Sequence, residues 1–257
     1  MGVKWKYLCV VAMLASLPVM AGTDCRATSP RQTVAVIELY TSEGCDSCPP
    51  ADRWLSKIDV PQDSAIPLSL HVDYWDRLGW RDRFANASMT ERQYDQKRRQ
   101  GTEYVYTPQV LLQGRDFRNW SARGEPAASI AAINARVARA DIELAANRQI
   151  NGVQVNVQVS VPDVRDRARA QIVVALVQDG LVSQVTAGEN RGKQLLHDHV
   201  VRQWHAEHLS DTGGVMREQL SFDLPAGGGP ISFVALAEDA QTGEVLQALS
   251  LPFCMNR

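Results

Sequence analysis

The chain has little cysteine, little net charge and no apolar run long enough to cross a membrane. Its 257 residues include five cysteines, and only Cys45 and Cys48 stand in Cys-x-x-Cys spacing. A zinc site built from two such pairs needs a second pair, so that class is disfavoured. The 27 basic and 29 acidic residues leave a formal charge of −2, which argues against a nucleic-acid or anionic-membrane surface. The apolar segment Tyr7–Leu17 is too short to span a bilayer. There is no internal repeat and no low-complexity tract.

What is present begins with an export signal. Lys4 and Lys6 make a basic start, Tyr7–Leu17 an apolar centre and Val19-Met20-Ala21 a small-residue cleavage site. Residues 1–21 therefore read as a signal peptide cleaved near Ala21, which implies a periplasmic or secreted protein. Cys25 is not preceded by the apolar and small residues of a lipid-attachment site. Cleavage leaves about 236 residues with 25 basic and 29 acidic side chains, together with Cys25, Cys45, Cys48 and Cys254. An even count in an oxidising compartment permits two bridges. Cys25 and Cys254 lie just inside the two mature ends, so a structural disulfide between them is expected, with two free thiols as the alternative.

The stretch Val34–Ile58 organises the rest. Val34–Tyr40 is rich in Val and Ile and suits a strand buried on both faces. Thr41 to Gly44 are turn formers. Pro49 and Pro50 fit only the first turn of a helix, where a missing N–H costs nothing. Trp54, Leu55 and Ile58 follow at helical spacing. A Cys-x-x-Cys at a strand-to-helix junction places its thiols near unpaired N–H groups that stabilise a thiolate. This favours redox chemistry over an inert bridge, which would close too short a loop to stabilise much.

Further on, strands are expected at 66–72 and 109–112, with a short fourth near 116–120. Helices are expected over 89–100, capped by Ser88 with Glu91, and from Pro126 through Ile130, Ile133 and Val137. From Asp141 the period changes to two. Asn151-Gly152 signals a hairpin, and Val153, Val155, Val157, Val159 and Val161 alternate onto one face. About seven strands in this second half suggest a sandwich. His197 and His199 lie on one face of the expected strand 194–204, where a solvated polar face is favoured over a metal site.

The segment Glu38 to Asp52 (ELYTSEGCDSCPPAD), with His71–Asp76 (HVDYWD), Tyr106–Gln109 (YTPQ) and the Gly188–Gly192 loop (GENRG), resembles a family of secreted bacterial proteins that carry a thioredoxin-like domain and have no assigned function. The resemblance implies an α/β thioredoxin-like domain over residues 22–140, followed by an all-β sandwich domain over 141–257 (α+β overall). It makes Cys45 the exposed nucleophile, Cys48 the resolving thiol and Pro108, after Thr107, a cis-proline facing the disulfide. Glu38 resembles the buried acid that moves the resolving thiol's proton, although the loop to the motif is one residue longer here. In such a fold Asp73, Tyr74, Trp75 and Tyr106 gather around Cys45 as a substrate-binding surface. Gly44 stands where ordinary thioredoxins have Trp.

The expected function is an exported thiol–disulfide oxidoreductase with a protein or small-molecule thiol or disulfide as partner. Glu43 and Asp46 disfavour a strongly stabilised thiolate, so reduction or isomerisation is expected over strong oxidation. No cofactor, metal, nucleic acid or stable membrane insertion is expected. The alternative is a binding module whose pocket holds a ligand or copper(I).

Overall fold

The computed structural model describes residues 25–58, 64–209 and 213–254; the expected signal peptide lies outside them. In chain order the strands are β1 (Cys25–Thr28), β2 (Ala35–Thr41), β3 (Ala65–His71), β4 (Gln109–Leu112), β5 (Arg115–Asp116), β6 (Asp141–Gln149), β7 (Gly152–Ser160), β8 (Ala170–Gln178), β9 (Leu181–Gln184), β10 (Gln194–His197), β11 (Val200–His208), β12 (Val215–Phe222), β13 (Ile231–Asp239) and β14 (Val245–Pro252). The helices are α1 (Pro49–Leu55), α2 (Ala87–Gln100), α3 (Glu125–Asn134) and the single turn α4 (Val164–Arg167).

Of the described residues 43% lie in strands and 17% in helices. Eight strands form one sheet in the order β14-β13-β8-β11-β3-β2-β4-β5, four form a second in the order β1-β6-β7-β12, and β9 pairs with β10 alone. The expected α/β thioredoxin-like domain followed by an all-β sandwich is thus corrected. β11 runs parallel to β3 with Val200 opposite Ser69, and the Ser69 N–H donates to the His199 carbonyl at 2.7 Å. Four strands of the second half therefore extend the sheet of the first. β1, from the first half, pairs with β6 in the other sheet. Period-two patterning fixes which side chains face inward, but it is silent on the neighbouring strand.

The packing follows that alternation. Val153, Val155, Val157 and Val159 of β7 meet Ile172, Val174 and Leu176 of β8 and Phe233 and Ala235 of β13 between the two sheets. Each buried valine contributes about 1.5–3 kcal/mol by removal from water. The opposite face of β8 and β13 shares a core with Val36, Tyr40, Leu68, Leu70 and Met89, the last from α2. Helices α1 and α3 cover the remaining face of β2 and β4, burying Ala51, Leu55, Ile130 and Ile133 against Ile37, Leu39 and Val110.

The large sheet coils enough for β14 to return against the segment leading into β2. Gln247 Oε1 accepts the Val34 N–H at 3.0 Å, and Gln113 donates to the Val245 carbonyl at 2.8 Å. The β4–β5 turn at Gln113 and Gly114 has positive φ at both positions. A Cβ on Gly114 would fall 1.9 Å from the Gly243 carbonyl oxygen, so only glycine fits.

Local expectations were met unevenly. Helix α2 is capped by Asn86, whose side chain accepts the Ser88 N–H at 2.9 Å, in place of Ser88. Val137 lies beyond α3 and is 77% exposed. The expected strand 194–204 breaks between β10 and β11, where His199 adopts φ 59°. His197 is therefore buried against Glu43 while His199 pairs with Asp179, and the two imidazoles do not share a face. Strands β1 and β9 have no clear period in the sequence.

Candidate functional site

The loop Ser42–Cys48 joins β2 to α1. The Cys45 N–H donates to the Ser42 carbonyl and the Cys48 N–H to the Cys45 carbonyl, at 3.2 and 3.3 Å. Pro49 and Pro50 occupy the first two helical positions, so the helix start lacks two N–H groups that would otherwise face the motif. Cys45 and Cys48 are disulfide-bonded with Cα atoms 5.5 Å apart. Both are fully buried, while Asp46 and Ser47 between them are exposed. The expectation of an exposed Cys45 is corrected: the surface of the motif is its middle, and Ser47 Oγ lies 3.3 Å from Cys45 Sγ.

A second segment clasps this loop. The Asn190 amide, fully buried, donates to the carbonyls of Glu43 and Cys45, each at 2.8 Å. Glu189 accepts the Asp46 N–H at 3.2 Å, and Lys193 donates to Asn190 Oδ1. The aromatic side is tied in as well. A Cβ on Gly44 would stand 3.0 Å from Trp75 Cβ, which gives a steric reason for glycine before Cys45. The Trp75 indole N–H donates to Thr107 Oγ1 at 2.8 Å, and the Thr107–Pro108 peptide is cis.

Of the other expected substrate-contact residues, Asp73 Oδ1 accepts from the Thr90 hydroxyl at 2.6 Å. The Tyr74 hydroxyl donates to Gln93, and burial pushes it up to about 12. The Tyr106 hydroxyl donates to Asp116 at 2.7 Å. Tyr106 and Pro108 line a groove with Tyr104 and Trp120. Trp75, Thr107 and the motif loop are thus brought together directly, whereas Asp73 and Tyr74 bond towards α2.

Glu38 does not serve this site. It lies on the face of β2 away from α1, where Arg92 grips it through Nε and Nη2 at 3.0 and 2.8 Å. Arg92 also holds Glu238 of β13 at 3.0 and 2.9 Å. Strand alternation puts residue 38 opposite the helix that carries Cys48, so its assignment to the resolving thiol is corrected.

Burial groups a different set of titratable residues around the motif. Trp80 and His197 converge on the Glu43 carboxylate, at 2.7 and 3.1 Å. His71 Nδ1 lies 2.7 Å from Asp82 Oδ2, and that oxygen also accepts the Glu43 N–H at 2.9 Å. The Thr41 hydroxyl donates to Asp52 at 2.7 Å. The His71 and His197 rings are edge to face at 4.9 Å. Burial alone would raise Asp82, but His71 and the N–H groups of Glu43 and Phe84 bring it to about 2. His71 is raised, because Asp82, Asp52 and Glu43 outweigh its burial. Asp52 is raised by burial, offset only in part by His197 and His71.

These residues had faint sequence signals: Glu43 sits two before Cys45, and Asp52 four after Cys48. His197 stands out only as half of a His-x-His pair, a pattern that favours a solvated polar face. At the far end of the chain, Cys25 and Cys254 form a disulfide with Cα atoms 5.8 Å apart. This bridge ties β1 to the segment after β14.

The sequence profile of a family described as "Protein of unknown function (DUF1223)" matches residues 36–230. The chain belongs to that family. The matched span takes in the Cys-x-x-Cys loop, Trp75, Pro108, Asn190 and His197. No curated protein matches the chain. Among solved structures, a protein from Agrobacterium tumefaciens is 27% identical, with a TM-score of 0.62 over 86% of this chain and 96% of that one. HBP35 of Porphyromonas gingivalis is 14% identical, with a TM-score of 0.63 over 86% of this chain and 76% of that one, a likeness of fold alone. Neither half of the chain could supply 86% of it, so both matches extend across its two halves.

Proposed function

We propose that the protein is an exported thiol–disulfide oxidoreductase acting through Cys45 and Cys48. The observation that carries this reading is the Cys45–Cys48 disulfide in a strand-to-helix loop, closed over a buried set of proton-exchanging side chains. In the exchange, a partner thiolate attacks Cys45 Sγ, the Cys45–Cys48 bond breaks and Cys48 leaves with the electron pair. A second partner thiolate then releases Cys45 and takes the disulfide with it. Run in reverse, the same steps reduce a partner disulfide.

Because the sulfurs are covered, the exposed Asp46–Ser47 corner is where a partner opens the loop. The partner is a protein or a small molecule carrying a thiol or a disulfide. Reduction or isomerisation is favoured over strong oxidation. A strong oxidant needs a heavily stabilised thiolate, whereas here Glu43, Asp52 and Asp82 carry acidic groups behind the motif and α1 has only seven residues. Export is supported by the Cys25–Cys254 bridge, which suits an oxidising compartment. No helix among the described residues is long and apolar enough to cross a membrane. No group of three or more metal-ligating side chains is assembled among the described residues.

The test is turnover of a disulfide protein such as insulin with dithiothreitol as reductant. Wild-type protein should accelerate the reaction, and Cys45→Ser and Cys48→Ser should each abolish the acceleration. A wild-type rate equal to that of the double serine variant would refute the reading.

A further inference from the structure

Opening a buried disulfide raises a question of protons. Reduction takes up two electrons and two protons, yet neither Cys45 nor Cys48 has surface exposed to water. When a thiolate attacks Cys45 Sγ, Cys48 becomes a thiolate behind the loop. Its surroundings already contain three carboxyl groups, Glu43, Asp52 and Asp82, exposed by 1%, 7% and 2%. A further negative charge there carries a desolvation cost that only a proton or a cation removes.

The charged groups facing this site are already engaged with partners of their own. Glu43 is met by Trp80 and His197, Asp82 by His71 and backbone N–H groups, and Asp52 by Thr41. In the clasp, Lys193 is bonded to Asn190 and Glu189 to the Asp46 N–H. Arg83 and Arg202 lie over the Phe84 ring, which also touches the two imidazoles edge to face, and Arg202 interacts electrostatically with Asp82. What the site does hold is proton-exchanging nitrogen. His71 is anchored to Asp82 through Nδ1, and its buried Nε2 has no hydrogen-bond partner. His197 is anchored to Glu43 through Nε2, and its buried Nδ1 has none. Each ring is oriented by one carboxylate and leaves its other nitrogen free to carry or accept a proton.

Asp52 connects this pair to the motif. It lies one helical turn beyond Cys48, the helical-dihedral N-cap of α1, so both side chains share one face of that turn. Its N–H donates to the Cys48 carbonyl at 3.1 Å, and α1 packs on β10, the strand of His197.

We propose that Asp52, supplied by His71 and His197, delivers a proton to Cys48 when the disulfide opens and takes it back when the disulfide closes. This rests on the redox reading above. In the forward step the Cys45–Cys48 bond breaks, the Asp52 carboxyl O–H gives its proton to the Cys48 thiolate, and an imidazolium reloads the carboxylate. In the return step Cys48 loses its proton to Asp52 as its sulfur attacks the mixed disulfide on Cys45.

The test is the reduction of intact protein by dithiothreitol, stopped by alkylation at timed intervals, with mass spectrometry reporting the Cys48 peptide. Rates from pH 5 to 9 are divided by the dithiothreitol thiolate fraction. Wild type should show a corrected rate that falls as pH rises and the store empties. Asp52→Asn should lower the rate at pH 6 by about a hundredfold, the low end of what a placed acid contributes, and flatten the profile. His197→Gln should keep the fall but move its midpoint to a different pH, which serves as the readout if Asp52→Asn does not fold. A folded Asp52→Asn protein whose rate stays within about twofold and whose profile is unmoved overturns the proposal alone. A wild-type bridge that resists excess dithiothreitol overturns the redox reading and this proposal with it.

Discussion

Replacing Arg92 by Met keeps the aliphatic stem of the side chain and removes the one cation that joins Glu38 to Glu238. Arg92 is 6% exposed and the two glutamates 1% and 0%. The guanidinium makes four bonds of 2.8–3.0 Å to them and lies 4.4 Å over the Trp204 ring. Removing one partner of a buried ion pair costs about 3–5 kcal/mol, because the remaining charge is left without compensation. A domain of this size is stable by about 5–15 kcal/mol in total, so Arg92→Met should be folded but marginal. Urea unfolding followed by tryptophan fluorescence measures the loss.

The sign of its pH dependence follows from Glu238. Burial would raise that carboxyl, but Arg92 outweighs burial and holds it below its ordinary value. In wild type its contribution is complete above the ordinary carboxylate range and fades as pH falls through the lowered folded value. Without Arg92, only Arg99 and Gln171 still oppose burial, so the carboxyl rises, and protonation relieves the variant as pH falls. The gap between wild type and variant should therefore narrow from pH 7 to pH 4. A triple variant, Arg92→Met with Glu38→Leu and Glu238→Leu, should recover part of the loss, since it leaves no buried carboxylate, while Arg99 gives up its pairing with Glu238. A loss below about 1 kcal/mol, or a triple variant no more stable than the single one, would refute the reasoning.

Two further outcomes concern the clasp and the chain ends. Asn190→Ala removes two bonds to buried carbonyls and should cost about 1–3 kcal/mol. It should also speed opening of the Cys45–Cys48 bridge by dithiothreitol, and an unchanged rate would show that the motif loop is held elsewhere. The Cys25–Cys254 bridge closes a separation of 229 residues, for which the chain-entropy model sets an upper limit of about 5 kcal/mol. Replacing both cysteines by serine should lower the urea midpoint accordingly, and an unmoved midpoint would mean that the bridge does not constrain the unfolded chain.

How much of this could be read in advance depends on how far apart the cooperating residues lie. Local chemistry was legible. The two prolines placed the start of α1, the valines of β7 alternate onto the core as their spacing requires, and Asn151-Gly152 turns β6 into β7. Each of these reports φ/ψ preference or face, properties of a few consecutive residues. The pairing of Cys25 with Cys254 was reachable because, with residues 1–21 read as a signal peptide, only two cysteines lay outside the motif.

Other partners remote in sequence were not legible. β11 joins β3 through one residue pair, and that contact turns two expected domains into one sheet without altering the pattern of either strand. Glu38 lies seven residues before Cys45, yet its partner is Glu238's cation and not the motif, because alternation sends its side chain to the other face of β2. Asn190 and His197 reach the motif across about 145 and 154 residues. The sequence by itself determined the strand-to-helix placement of two cysteines and the inward faces of the strands, since both follow from local geometry. Only the tertiary structure decided that the cysteines are covered, which carboxylate each histidine meets and which glutamate belongs to the core, because those follow from strand order, to which period-two patterning is indifferent.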